Sequence, residues 1–282
     1  MKLRDVAQET LAILDAGTYR SPAGRTCVVG AAQAAAVEGS RLFRPDELRA
    51  LVEATPAGSG RPARTAVWEA RTQDAARWLV EEGHRVVLLN FASARNPGGG
   101  FLSGARSQEE DLARCSGLYR CLVRQNEFYR QNRQTTSKLY TDHLIYSPDV
   151  PFFRDTAYTL LEAPFVASVI SCPAPNAGRH GRKRRGGREE VKAVLRRRAD
   201  AILAVAHAYH HRTLLLGAWG CGVFKNDPAD VAAAFGDILN GTAFTGAFDD
   251  VIFAIVDPGR RQPILQAFTE RFGPITRRQG AT

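Results

Sequence analysis

The 282-residue chain lacks several features that would each have pointed to a different kind of protein. It has only five cysteines, Cys27, Cys115, Cys121, Cys172 and Cys221, an odd number without CxxC spacing. That argues against a disulfide framework and against a zinc site, and the five read as reduced, mostly buried thiols. The six histidines fall at no metal-binding spacing: His207 and His211 are four apart on an otherwise ordinary predicted helix, so no metal is expected. No apolar run approaches the roughly 18 residues needed to cross a bilayer. Met1–Asp5 leads into an amphipathic segment instead of a signal-peptide core, so a cytoplasmic protein without membrane contact is expected. There is no G-x-x-x-x-G-K-[ST] sequence, and the nearest approach to a dinucleotide fingerprint, Gly217 to Gly222, runs G-x-x-G-x-G late in the chain. No cofactor is expected.

What the chain does have is apolar residue and positive charge. At 44% hydrophobic it can bury a sizeable interior, and it reads as a core, 65–282, with an N-terminal helical extension, 1–64. Lysine and arginine outnumber acids 38 to 29. Much of the excess lies in RHGRKRRGGREEVKAVLRRR, Arg179–Arg198. The favoured reading of 179–198 is a mobile, solvated basic loop to which a polyanion such as nucleic acid is weakly attracted; it lacks the interleaved aromatics of a single-strand platform.

Val6, Leu11, Ile13 and Leu14 recur at helical spacing and Gly17 follows as a stop, predicting a helix over 3–14. A second is predicted over 45–53. From Arg64 the pattern alternates, with strands predicted at 65–70, 85–91, 143–147, 151–154, 165–172, 213–216 and 250–256. Helices are predicted at 72–82, 108–131, 189–209, 228–239 and 261–272. This is the pattern of an α/β fold, a largely parallel or mixed sheet sandwiched between helices, in which ligands bind beyond the carboxyl ends of the strands.

Two glycine-bearing loops fall at that edge. The first follows strand 85–91 and contains Gly98-Gly99-Gly100, with Gln108-Glu109-Glu110 after a gap of seven residues. Glycine has no Cβ to hold a bulky anion away from backbone N–H groups. Paired carboxylates are what glycosidic cleavage needs, one to protonate the leaving oxygen and the other to orient substrate or steady positive charge on the sugar. Taken alone, Glu109-Glu110 is equally an ordinary acidic first turn of a helix. The second loop, Gly217 to Phe224, feeds a predicted helix N-terminus, an arrangement suited to a diphosphate. Asn96 either satisfies turn backbone or hydrogen-bonds a sugar hydroxyl, and Phe224 is either a core aromatic or a stacking ring.

NFASARNPGGGFLSGARSQEE, Asn90–Glu110, resembles the signature of the bacterial-type poly(ADP-ribose) glycohydrolases, a macrodomain-like family. LLLGAWGCGVFKNDP, Leu214–Pro228, is similar to that family's diphosphate-binding loop, and RDVAQETLAIL resembles its N-terminal helical extension. The resemblance implies cleavage of ribose–ribose O-glycosidic bonds in poly(ADP-ribose), releasing ADP-ribose, with Glu110 as general acid and base and Glu109 holding the ribose hydroxyls. It further implies that Asn96, Gly98, Gly99 and Gly100 line the terminal ribose, with Gln108 also in the substrate site. Gly220, Cys221, Gly222 and Val223 would cradle the diphosphate through N–H groups, and Phe224 would pack against the ribose. The implied partners are poly(ADP-ribose), ADP-ribose and ADP-ribosylated macromolecules. Adjacent glutamates disfavour each other's ionisation while a helix N-terminus favours it. Two other readings stand beside this one: a non-hydrolytic ADP-ribose reader, which has no need of QEE, and a hydrolase of mono-ADP-ribosylated targets.

Overall fold

The computed structural model describes residues 2–181 and 186–275. Its helices are α1 (Leu3–Ala16), α2 (Gly30–Glu38), α3 (Pro45–Glu53), α4 (Thr72–Glu81), α5 (Gln108–Cys115), α6 (Leu118–Val123), α7 (Asn126–Gln134), α8 (Ala177–His180), α9 (Gly187–Ala208), α10 (Pro228–Leu239) and α11 (Pro263–Phe272). The strands are β1 (Thr18–Arg20), β2 (Thr26–Val28), β3 (Arg41–Phe43), β4 (Arg64–Trp68), β5 (Val86–Phe91), β6 (Leu144–Arg154), β7 (Leu160–Cys172), β8 (Thr213–Gly217) and β9 (Asp250–Ala254). Seven strands form one mixed sheet in the order β3-β6-β7-β5-β8-β9-β4, and β1-β2 is a separate hairpin. Every pair from β7 to β4 is parallel, while β6 joins β7 and β3 joins β6 antiparallel.

The continuous apolar run of β5 follows from its central place: Val86 to Leu89 are each no more than 2% exposed, with helices on both sides. One face packs on α3, α9, α10 and α11, the other on α2, α4, α5, α6 and α7. Each fully buried valine, leucine or phenylalanine contributes about 1.5–3 kcal/mol to holding the layers together. Residues before 64 belong to the same architecture, because β3 is an edge strand of the sheet.

α1 ends as its sequence predicts, with Gly17 at φ 69° donating its N–H to the Ile13 carbonyl. The single helix expected over 108–131 is instead three. Ser116 is extended and bridges to Phe152, and Gly117 packs so tightly on Gln33 that a Cβ would meet that side chain. Cys115 and Cys121 therefore end and enter different helices. The strands expected at 143–147 and 151–154 form one, β6, across a bulge where Asp149 takes φ 41°, a conformation Asp tolerates. All five thiols are free and buried. No helix among the described residues is long and apolar enough to cross a membrane.

The later part of the basic run is helical, as predicted over 189–209, but its cations are not the freely solvated charge expected of 179–198. Residues 182–185 lie outside the described residues, but from Gly187 the run is α9, and its cations are paired. Arg188 meets Asp227 and Asp230, Arg196 meets Asp200 and Asp237, and Arg197 meets Asp142 at 2.7 Å. Arg198, 1% exposed, meets Asp142 at 2.7 Å and donates to the carbonyls of Pro173, Leu139 and Tyr140. Although burial alone would push the Asp142 carboxyl up, Arg198 and Arg197 hold it below its ordinary range. Within α9, charge read as bait for a polyanion is paired with the fold's own carboxylates.

Candidate active site

β5 and β8 pair only from Val86 to Leu88 against Thr213 to Leu215. Beyond that they part, one chain crossing to α5 on one face and the other to α10 on the opposite face. A cavity of about 700 Å³ opens there, at the carboxyl edge of the sheet. Gly220, Gly222, Val223 and Phe224 line one wall, and Arg71 to Gln73 with Arg106 to Asp111 line the other.

Gln108 fills the place that β8 vacates. Its Oε1 accepts the Phe91 N–H at 2.8 Å, and its Nε2 donates to the Leu89 carbonyl at 2.8 Å and to Thr72 Oγ1 at 3.2 Å. The side chain lines the cavity with its amide committed to the sheet.

Glu109 and Glu110 stand in the first turn of α5, as the sequence indicates, and both are buried, at 3% and 7% exposure. Glu109 Oε1 accepts from Asn90 Nδ2 at 3.3 Å and its Oε2 from the Ser93 N–H at 2.7 Å. Burial pushes the Glu109 carboxyl up to about 8; the nearby Glu110 charge adds to this, while hydrogen bonds from the Ser93 and Gly98 backbones and from Asn90 oppose it. The competition between helix terminus and paired charge is thus decided by desolvation. Glu110 Oε1 accepts the Gly100 N–H at 2.8 Å, and its Oε2 meets the Ser107 hydroxyl.

The triglycine works mainly for these carboxylates. Gly99, at φ 58°, donates its N–H to the Asn96 carbonyl, and a Cβ on it would lie 2.3 Å from Glu110 Oε1 and 3.1 Å from Glu109 Oε2. A Cβ on Gly100 would lie 2.5 Å from that of Ala105. Asn96, Gly99 and Gly100 line the cavity, whereas Gly98 is buried behind it against Tyr119.

On the opposite wall, Gly220 takes φ 74°, where a Cβ would come within 2.4 Å of both Ala174 and Asn226. The N–H groups of Gly222, Val223 and Phe224 have no acceptor among the described residues and are free to serve as an anion nest. Cys221 is apart from them: its N–H is spent on the Ala218 carbonyl, and burial pushes its thiol up to about 12. Phe224 lines the cavity, its carbonyl accepting from Gly178 at 3.0 Å and its ring 5.8 Å from that of Tyr140. Arg198 grips the Tyr140 carbonyl, so α9 braces this wall from behind.

Sequence reasoning missed Asn90, Ser93, Ser107, Asp111 and Arg114. Ser107 carried a readable signal, since Ser107-x-x-Glu110 is the spacing of a capping box. Arg114 is fully buried; it meets Asp111 at 3.1 Å and donates to the Ala105 carbonyl, fixing α5 to the loop before it. Arg71 and Tyr158 complete the Asp111 cluster at 3.0 and 2.5 Å.

The Glu109 environment predicts a pH effect on stability. Its folded value, about 8, exceeds the ordinary 4.5, so between the two the native state retains a proton that the unfolded chain has lost. Stability therefore falls as pH rises through that window. Glu109→Gln removes the penalty, so its Tm relative to the parent should be higher at about pH 9 than at about pH 5 by several degrees. Calorimetry at the two pH values checks this; an equal difference at both would contradict the burial argument.

With two buried carboxylates and an anion nest facing one crevice, the protein is a macrodomain-like enzyme. A family model described as microbial-type PARG, catalytic domain, matches residues 7–155. The chain belongs to this poly(ADP-ribose) glycohydrolase (PARG) family. It is 48% identical to the PARG of Thermomonospora curvata, covering 96% of this chain and 99% of that one with a TM-score of 0.92. The Thermomonospora curvata enzyme bound to the inhibitor ADP-HPD is 47% identical over the same shares, with a TM-score of 0.90. The Deinococcus radiodurans PARG in complex with ADP-ribose is 48% identical, covering 85% of this chain and 96% of that one, with a TM-score of 0.80. No curated protein sequence matches the chain.

Proposed function

We propose that the enzyme hydrolyses the ribose–ribose O-glycosidic bond of poly(ADP-ribose) and releases ADP-ribose, with Glu110 moving the proton and Glu109 fixing the terminal ribose. The observation that carries this division is the difference between their partners. Ser107 offers Glu110 Oε2 a hydroxyl, which donates to a carboxylate and turns to accept from a carboxylic acid. Glu110 can therefore gain and lose a proton without losing its anchor. Glu109 Oε2 faces a backbone N–H, which only donates, and the Asn90 amide grips its other oxygen. That suits a group that stays put.

In this reading the nest at Gly222 to Phe224 receives the diphosphate and the cavity's Asn96 to Gly100 side receives the terminal ribose. Glu110 protonates the bridging oxygen as the C–O bond breaks through an oxocarbenium-like state. The resulting carboxylate then takes a proton from water as its oxygen bonds to the sugar carbon. A second reading, with Glu109 as proton donor, is favoured by the burial that keeps it protonated near neutral pH.

The purified enzyme should convert poly(ADP-ribose) to ADP-ribose, measured by chromatography, far faster than it strips a mono-ADP-ribosylated protein. Faster release from the mono-modified protein would replace polymer with the single modification as the substrate. Binding of ADP-ribose without release from either would make the protein a reader.

A further inference from the structure

The cations of α9 are paired within the fold, whereas other exposed cations among the described residues are not. Five of these stand on connections that line the cavity. Arg106 lines the cavity and is exposed, and exposed Arg95 immediately precedes the lining residue Asn96. Lys225, exposed, follows the lining residue Phe224, and its side chain passes beside Gly178. Arg260 and Arg261 are exposed on the connection between Val256 and Ile264, both of which line the cavity.

None of these five cations meets a carboxylate among the described residues. The acids on the same connections, and Glu69 beside them, are already engaged. Asp257 is buried and accepts the N–H groups of Ile264 and Leu265 at 2.7 and 3.1 Å, while Asp227 caps α10 and meets Arg188. Glu69 accepts from Gln262 at 3.4 Å. Five cations without a carboxylate partner, on the three connections β5–α5, β8–α10 and β9–α11, form a positively charged rim beside one cavity.

We infer that this rim is a second binding site, for the diphosphates of polymer units that remain outside the cavity. The inference rests on the reading of poly(ADP-ribose) as substrate. A cavity of about 700 Å³ is of the size that encloses one small ligand, here the terminal unit. The rest of the chain leaves through the mouth, and each further unit carries two phosphate charges past the rim. The nest inside sets affinity for a single ADP-ribose, and the rim adds affinity that grows with chain length and falls with salt.

The test measures binding in a Glu110→Gln background, where hydrolysis does not consume the ligand. Affinity is compared for ADP-ribose, for poly(ADP-ribose) chains of defined length and for single-stranded DNA of matched charge. The rim is altered by Arg95→Gln, Lys225→Gln, Arg260→Gln and Arg261→Gln together. Long polymer is expected to bind about tenfold more tightly than ADP-ribose at low salt, an advantage lost when the rim charges are removed. The affinity for ADP-ribose itself should be unchanged, which also reports an intact fold. An equal polymer affinity with and without the rim charges overturns the inference. So does DNA binding as tightly as polymer, which would make the rim a general polyanion surface. Hydrolysis of polymer by the unaltered enzyme is scored separately, so a failure of the substrate reading is distinguishable from a failure of the rim.

Discussion

Glu110→Gln should lower kcat on poly(ADP-ribose) by about 10²- to 10⁴-fold while leaving ADP-ribose affinity within a few fold, because only the proton transfer is removed. The amide fits the pocket it inherits. Its oxygen still accepts the Gly100 N–H, and its NH₂ faces the Ser107 hydroxyl, which turns to accept. A loss of activity then reports chemistry and not collapse of α5. Glu109→Gln is the necessary companion measurement. If Glu109 only fixes the ribose, its amide variant should chiefly raise KM, because a positioning contact is lost while Glu110 still moves the proton. If instead Glu109→Gln suffers the large loss in kcat and Glu110→Gln retains most of its rate, the roles are reversed and burial has selected the acid.

Gly99→Ala should cost at least about 10²-fold in kcat, since displacing a catalytic group by about 1 Å is enough for that loss. The added methyl would lie 2.3 Å from Glu110 Oε1, far inside van der Waals contact, and Glu109 Oε2 at 3.1 Å closes the other direction of escape. The backbone at φ 58° adds strain of about 1–2 kcal/mol for any residue with a Cβ. The carboxylate must therefore leave its hydrogen bond to Gly100, or the turn must open. Either outcome is visible as a collapse of kcat with a moderate fall in Tm. Full activity in a folded Gly99→Ala enzyme would mean that the Glu110 position is not the working one.

The central layers of the fold were legible because burial on both faces writes an unmistakable pattern. Val86-Val87-Leu88-Leu89 reads as an interior strand, and Pro228 to Leu239 reads as a helix. The break at Ser116-Gly117 was missed although a Ser-Gly pair is a turn signal, because the contacts that hold it, with Phe152 and Gln33, come from distant parts of the chain. The bulge in β6 also escaped, since Pro148-Asp149 locally signals a turn and only pairing with β7 makes it part of a strand. In the site, the residues that touch the cavity announced themselves through glycine and acid. The residues that hold them did not: Asn90 near the end of β5 and Arg114 in the last turn of α5 acquire meaning only once α5 is laid beside β5. The triglycine has a second role that its sequence did not announce. It was expected to let backbone approach a ligand, and it also makes room for the enzyme's own carboxylates.

Gln108 gives the spelling of the QEE triplet a chemical reason. Where the two middle strands diverge, one strand is left with an N–H and a carbonyl two residues apart, and both are answered by this single side chain. A third glutamate there could satisfy the N–H but would set a negative oxygen against the carbonyl. An amide is the group of that length that gives and receives at once. The first letter of the triplet thus closes a seam in the sheet, and its two acidic neighbours stand in register with the crevice because that seam is shut.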